Sequence, residues 1–326
     1  MKAYLLLPFC CLFFMGCSSK HNNHDQPLII YDSSTTTNTI VGISDLNVKP
    51  TRVLHITDSH ITFAGPEDEA YAEYSSRMAA AYEKGNHYKS GELISRTEAF
   101  SDIIQEAKQL NIDLILLTGD ILNYPSKRAV EYLLDELTFC GIPFLYTAGN
   151  HDWHLEGLPG SSHSLREQWR EKILLPLYQG ENPSHYARQI NGVNFLMIDN
   201  STYQITSEQV NFLKRQSALG LPMVIGMHIP VSIDGQSQGI GSREWGASVD
   251  KGFELERRER WPEEGHNKET YDFVEELFKA PVSIVLCGHI HISKADRKGG
   301  FLQFVTPMGR YGHYRILEII PVKNDR

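Results

Sequence analysis

The chain has 326 residues, of which 41% are hydrophobic and 22% charged, the balance of a water-soluble globular protein. That length admits one large domain or two small ones. A formal net charge of -9 speaks against the broad basic surface that displaces counterions from long nucleic acid, so no nucleic-acid partner is expected.

Residues 1–17 stand apart from the rest. Lys2 gives a positive start, and Leu5 to Gly16 is almost wholly apolar apart from Pro8, Cys10 and Cys11. A run of about a dozen residues is short for a membrane span and fits the core of a signal peptide. It stops at Gly16-Cys17-Ser18-Ser19, and a small residue before a Cys at that place resembles the bacterial lipoprotein processing site. The resemblance implies lipid on Cys17, a membrane partner reached through an N-terminal anchor, and an extracytoplasmic place in a bacterial envelope. The alternative is an ordinary secretory signal with a chance Cys. Only Cys140 and Cys287 then remain in the body, too few for a disulfide framework, though a single bridge between them stays open.

Residues 18–49 are polar, with a Thr run at Thr35-Thr36-Thr37, and read as a tether carrying at most a short strand near Leu28-Ile29-Ile30. From Arg52 a regular alternation begins. Arg52 to Thr57, Ile112 to Thr118 and Ile142 to Thr147 are apolar strands; Glu92 to Leu110 and Ser126 to Leu137 have helical spacing between them. Gly192 to Ile198 and Pro222 to Met227 are further strands around a helix near Thr206 to Ala218. A helix over Asn267 to Lys279 then precedes strands at Val282 to Leu286, Phe301 to Val305 and Tyr314 to Ile319. This strand–helix alternation points to a layered α/β fold in one domain, residues 50–326. Two long excursions, Phe63–Ser90 and Ser232–Gly265, break the rhythm and are candidate binding loops.

The polar residues concentrate where apolar runs end, which is where α/β folds gather ligand groups. In order they are Asp58-Ser59-His60, Gly119-Asp120, Gly149-Asn150-His151-Asp152, His228 and Gly288-His289-Ile290-His291. The i, i+2 spacing of Asp58/His60 and of His289/His291 puts each pair on one face of extended backbone. Carboxylate with imidazole suits borderline divalent cations such as Mn, Fe, Zn or Ni, and the missing thiolate argues against a closed structural zinc site. Asp58, His60, Asp120, Asn150, His228, His289 and His291 are seven donors, too many for one tetrahedral ion and enough for two if a carboxylate bridges them.

These five blocks, in this order between Arg52 and His291, resemble the calcineurin-like metallophosphoesterase superfamily. The resemblance implies a four-layer αββα sandwich, two mixed sheets packed face to face and flanked by helices. It implies that Asp58, His60 and His291 hold one divalent cation, that Asn150, His228 and His289 hold a second, and that Asp120 bridges them. His151 is then the proton donor to the leaving group, with Asp152 holding His151. Asn123 stands where purple acid phosphatases carry a ligand Tyr, so no iron-tyrosinate is expected. A small phosphate monoester or diester is the expected substrate. The alternatives are a nuclease of the same superfamily and a non-catalytic binding protein on the same scaffold. His154, Arg243 and Arg310 are candidate substrate contacts; His55, His87, His163, His185, His266 and His313 read as core or surface groups.

Overall fold

The computed structural model describes residues 28–31, 38–44, 47–81, 84–231, 267–280 and 282–322. Among them, six strands form a first sheet in the order β1-β2-β14-β3-β6-β7: β1 Leu28–Tyr31, β2 Asn38–Ile43, β14 Arg315–Pro321, β3 Thr51–Ile56, β6 Leu114–Thr118 and β7 Phe144–Thr147. A second sheet runs β12-β13-β11-β10-β9-β8: β12 Lys294–Lys298, β13 Phe301–Val305, β11 Ser283–Cys287, β10 Met223–Gly226, β9 Val193–Ile198 and β8 His185–Ile190. Both are mixed. β3, β6 and β7 are parallel, as are β9, β10, β11 and β13, while β8 and β12 close the second sheet as antiparallel edges. The small hairpin of β4 Lys84–Asn86 and β5 Leu93–Ser95 stands apart.

Strands buried on both faces need apolar residues at every position, and β6, β9, β10, β11 and β13 are buried throughout. Alternate residues of the second sheet then serve different layers. Val193, Phe195, Val224, Ile284, Leu286, Leu302 and Phe304 face the core shared with the first sheet and its helices α2 (Arg96–Ala107) and α3 (Lys127–Cys140). Leu196, Ile198, Ile225, Val285 and Phe301 face the opposite layer, with residues from α6 (Ser207–Ser217) and α7 (Lys268–Lys279). The result is the expected layered arrangement of two mixed sheets flanked by helices. Helix starts are set by side-chain caps, each worth about 1 kcal/mol: Ser95 and Thr206 in reciprocal capping boxes with Glu98 and Gln209, and Ser126 and Asn267 alone.

One side chain ties the sheets together at their edges. Tyr186 of β8 reaches β7, where its hydroxyl accepts from the Tyr146 amide and donates to the Tyr146 carbonyl, both at 2.9 Å. The outer edge of β7 thus finds partners in the other sheet. At the far side, β12 blunts its edge with charge, reading Lys294-Ala295-Asp296-Arg297-Lys298.

The tether expected over 18–49 is corrected at its C-terminal end. Asn38–Ile43 is an inner strand of the first sheet, parallel to β14, with Val41 fully buried. Its brevity among Ser and Thr hid it, and it is held as a strand by pairing with β1 on one side and the distant β14 on the other. Phe63–Ser90 is also more ordered than an open excursion, holding a 3₁₀ turn, helix α1 (Ala72–Ala81) and β4. A helical stretch unannounced by the reading above, α4 (Ser162–Trp169), continues through a wider π-turn into α5 (Leu175–Tyr178). Cys140 and Cys287 are both free buried thiols, in different packing layers, so no bridge joins them. Cys17, Ser232–Gly265 and Arg243 lie outside the described residues.

Candidate metal centre

The site assembles from strand ends. β3 runs out into Asp58 and His60, β6 into Asp120, β7 into Asn150 and His151, β10 into His228, and β11 into His289 and His291. The first three strands belong to one sheet and the last two to the other, so the cluster spans the sandwich.

The chain bends sharply to present these groups. Asp58, His60, Asp120, His289 and His291 all have positive φ, between 47° and 69°. Asp and His tolerate this left-handed conformation better than bulky residues, but each such position still costs of the order of 1 kcal/mol and persists only where the surroundings enforce it. Its concentration on five candidate ligands ties the strain to the site. Two glycines allow the loops to close up. A Cβ on Gly149 would lie 2.2 Å from Asp120 Oδ1, and one on Gly288 would lie 2.1 Å from Asp58 Oδ2.

Three groups of donors result, each with ligand atoms within 4.8 Å of one another: Asp58/His60/His291, His60/Asp120/His151 and Asp120/His228/His289. Asp58 divides its carboxylate. Oδ2 accepts from Thr57 Oγ1 at 2.9 Å and the His289 amide at 3.0 Å, while Oδ1 faces His291 Nε2 at 3.2 Å and His60 Nε2 at 3.9 Å. Asp120 does the same, accepting the His151 amide on Oδ1 at 2.8 Å and turning Oδ2 to His228 Nε2 at 3.1 Å. Its membership of two groups is the geometry a bridging carboxylate needs.

The electrostatics of these groups suit a positive charge. Burial works against charge on His228, but the neighbouring Asp120 outweighs it and pushes the imidazole pKa up to about 9. Burial and the nearby His151 hold His60 well below the usual 6.5, which keeps it neutral and able to donate a lone pair. Asn150 Oδ1 is shut off from solvent, and no hydrogen-bond donor among the described residues reaches it. An orphaned buried oxygen is costly. Beside two carboxylates and several imidazoles, a divalent cation is the partner these atoms fit, and its uptake would displace the proton from His228.

The role expected of Asp152 is corrected. Its fully buried carboxylate accepts from the Leu122 amide and the Gly149 amide, both at 2.7 Å, and so pins together the two loops that carry Asp120 and Asn150. Burial and the Asp120 charge push it up to about 7. What holds His151 is the Asn123 carbonyl, 2.9 Å from Nδ1. Adjacency in sequence had paired Asp152 with His151, but with both carboxylate oxygens taken by amides the residue serves the backbone. His151 itself lies with its ring centroid 4.7 Å from that of His60.

The matched family model, calcineurin-like phosphoesterase, covers residues 51–293 and so contains every one of these groups. The chain belongs to the calcineurin-like phosphoesterase family. Two curated proteins named "Probable cyclic nucleotide phosphodiesterase" are similar to it: one from Moraxella catarrhalis, 28% identical over 60% of this chain and 64% of that protein, and one from Psychrobacter arcticus, 32% identical over 54% of this chain and 58% of that protein. The match thus spans less than two thirds of either relative's length. A dimetal phosphatase from Danio rerio has a similar fold, with a TM-score of 0.53 at 11% identity, over 82% of this chain and 91% of that one.

Within this calcineurin-like frame the weaker substrate candidates separate. His154 is buried, at 3% exposure, and belongs to none of the three donor groups. Arg310 is half-buried next to the Asp58 loop, with Nε and Nη1 closed off from solvent. Its amide donates to the Asp58 carbonyl at 3.2 Å, its guanidinium lies 4.2 Å from the Tyr311 ring centroid, and its charge is among those holding down the His60 pKa. Sequence reasoning missed Asn200, fully buried, whose Oδ1 accepts from the His228 and Ile229 amides at 3.1 Å each. The signal was present: Asp199-Asn200-Ser201 is another polar run at the end of an apolar strand.

Proposed function

We propose that this protein hydrolyses a small phosphoester with a pair of divalent cations, and that cyclic nucleotides are the first substrate class to try. The orphaned Asn150 Oδ1, carried between Gly149 and His151, which both pack against Asp120, is the observation that carries this reading. Asp58, His60 and His291 would hold one cation; Asn150, His228 and His289 the other; Asp120 would serve both. Bound there, divalent cations supply Lewis acidity, which neutralises phosphate charge and makes water acidic enough to attack near neutral pH.

The remaining steps belong to the chain. His151 keeps its Nδ1 proton on the Asn123 carbonyl, which leaves Nε2 as the atom that carries and releases a proton. As water adds to phosphorus and the P–O bond to the leaving alcohol breaks, Nε2 protonates the departing oxygen. Arg310, tied by its amide to the Asp58 carbonyl, offers a fixed positive charge to the phosphate. No side chain needs to become phosphorylated.

The name shared by these two similar proteins, cyclic nucleotide phosphodiesterase, motivates the substrate class. The test is a panel on protein loaded with Mn²⁺: cyclic nucleotides, mononucleotides, nitrophenyl mono- and diesters, and oligonucleotides. Turnover confined to cyclic nucleotides and diesters supports the reading. Preferred cleavage of oligonucleotides would make it a nuclease, and tight cation binding without turnover on any ester would leave a binding protein on a phosphoesterase scaffold.

We further propose that the body is held at the outer face of a bacterial membrane by lipid on Cys17. The supporting feature is the apolar run ending at Gly16-Cys17. No helix among the described residues is long and apolar enough to cross a membrane. Wild-type protein should fractionate with membranes and Cys17→Ser should not; soluble extracytoplasmic wild-type protein would remove the anchor.

A further inference from the structure

The turn at Asn200–Tyr203 carries no donor of the metal centre, yet it touches both histidines of the Asp120 group, His228 at its backbone amide and His289 at its ring. Asn200 takes the His228 amide on Oδ1 at 3.1 Å and gives Nδ2 to the Ile229 carbonyl at 2.8 Å, which fixes where His228 leaves the strand. Tyr203 closes the turn, its amide donating to the Asn200 carbonyl at 2.8 Å. Its φ is +63°, a left-handed conformation rare for so bulky a side chain. The residue is buried at 6% exposure and belongs to the apolar layer on the outer side of the second sheet. Its hydroxyl ends 3.2 Å from His289 Nε2, with the two rings edge-on at 5.4 Å.

An imidazole that binds a cation through one nitrogen carries its proton on the other, and the partner of that N–H decides which nitrogen faces the metal. For His228 the division is plain. Nδ1 lies 2.9 Å from the Thr118 carbonyl, which can only accept, so Nδ1 carries the proton and Nε2 faces Asp120 at 3.1 Å. In His289 the arrangement is reversed, since it is Nε2 that meets a fixed partner. We propose that Tyr203 is a positioning residue that holds His289 as its Nε2–H tautomer and thereby turns Nδ1 towards the second cation. This rests on the two-cation reading above and adds to it an atom-level assignment for one site.

A phenol oxygen accepts from Nε2–H as readily as it donates, so the hydroxyl suits the metal-loaded tautomer. A phenylalanine in its place would fill the same volume and leave a buried N–H without that acceptor. The left-handed backbone at Tyr203 serves the same end, because it aims the ring across the turn at His289. The His289 imidazole belongs to one donor group only, since the Asp58/His60/His291 group does not contain it.

The experiment is a calorimetric titration of the metal-stripped full chain with Mn²⁺, wild type first and then Tyr203→Phe. Wild-type protein should take up two cations. In Tyr203→Phe one of the two sites should weaken by about 10–100-fold, with the other unchanged and the metal-free melting curve close to wild type. Two sites of wild-type affinity in the variant, or both sites weakened alike, would overturn the assignment. Should Tyr203→Phe not fold, long-range ¹H–¹⁵N spectra of the zinc-loaded wild type decide instead. Nδ1–H on His228 with Nε2–H on His289 is the expected pair, and Nδ1–H on His289 would sink it. A wild-type chain that binds no cation removes the two-cation reading and this inference together. A wild type that binds two, with an unaffected variant, removes this inference alone.

Discussion

The two sheets bring different chemistry to the centre. The first sheet ends in Asp58, Asp120 and Asn150, with His60 and His151 beside them, so all the oxygen donors come from this side. The second sheet ends in His228, His289 and His291, which are imidazoles only. Neither half is a sound site alone. Two carboxylates in a buried space repel, and three imidazoles bring no negative charge to offset that of a buried dication. The contacts that matter most cross the sandwich: Asp120 with His228, Asp58 with His291, and the His289 amide on Asp58. A site divided in this way forms only when the sheets have packed, so cation binding and sheet docking support each other.

The largest effect should come from the oxygen side. Asp120 touches two of the three donor groups, so Asp120→Asn removes the charge that both cations would share. It should lower occupancy at both positions and reduce turnover by several orders of magnitude, whereas His228→Ala, on the imidazole side, should weaken one position. Elemental analysis alongside turnover at saturating Mn²⁺ measures both. If Asp120→Asn still holds two cations and turns over near the wild-type rate, the division between the sheets is drawn wrongly.

His151 separates proton transfer from cation binding on the same sheet. His151→Ala should keep both cations and lose about 10²–10⁴-fold in rate with poor leaving groups. The loss should shrink with nitrophenol, a good leaving group that needs little proton assistance. Equal losses across leaving groups of different pKa would assign His151 to phosphate positioning instead.

The asymmetry between the sheets also explains what the sequence made legible. The candidate ligands after β3, β6, β7, β10 and β11 follow apolar runs directly, so they stand out as polar clusters at strand ends. Their convergence came from the family resemblance, because strand order across two sheets is not written in local periodicity. Asp152 was misread because neighbouring residues in a tight loop point apart, and its carboxylate went to the Leu122 and Gly149 amides. Asn38–Ile43 was missed because one of its two partners, β14, lies nearly the whole chain away. Tyr203 left no trace at all: a Tyr after a strand looks like any core aromatic until its hydroxyl is seen against His289.

Docking of the sheets can be tested away from the metal. Tyr186→Phe deletes the hydroxyl that satisfies both backbone groups of Tyr146 and leaves that buried N–H and C=O unpaired. The cost should be about 1–3 kcal/mol in urea unfolding. Because β7 leads to Asn150, cation affinity should fall with it. A neutral result would mean that water replaces the hydroxyl and that the clip does not hold the halves together.

The smallest effect expected lies in the segment that crosses from the second sheet back to the first, between β13 and β14. His313 stacks on Tyr88 with ring centroids 4.1 Å apart, and burial, aided by the charge of nearby His87, lowers its pKa to about 4. The folded protein therefore keeps His313 neutral where the unfolded chain, near 6.5, begins to bind a proton. Between those values the unfolded state holds more protons, so this contribution to stability is complete above pH 6.5 and is lost as pH falls towards 4. His55, between Thr118 and Thr306, shifts the same way through burial and the charge of Arg315, so acid should loosen the crossing at two points. His313 is only partly buried, and solvent screening reduces its share to about 1 kcal/mol at pH 5. His313→Gln cannot take up the proton. Its stability relative to wild type should therefore improve by that amount between pH 7.5 and pH 5, even if loss of the Tyr88 stack makes it the weaker protein at pH 7.5. Parallel pH profiles for the two proteins in urea melts would show that His313 takes no part in the acid response, and would leave His55 to account for loosening at the crossing.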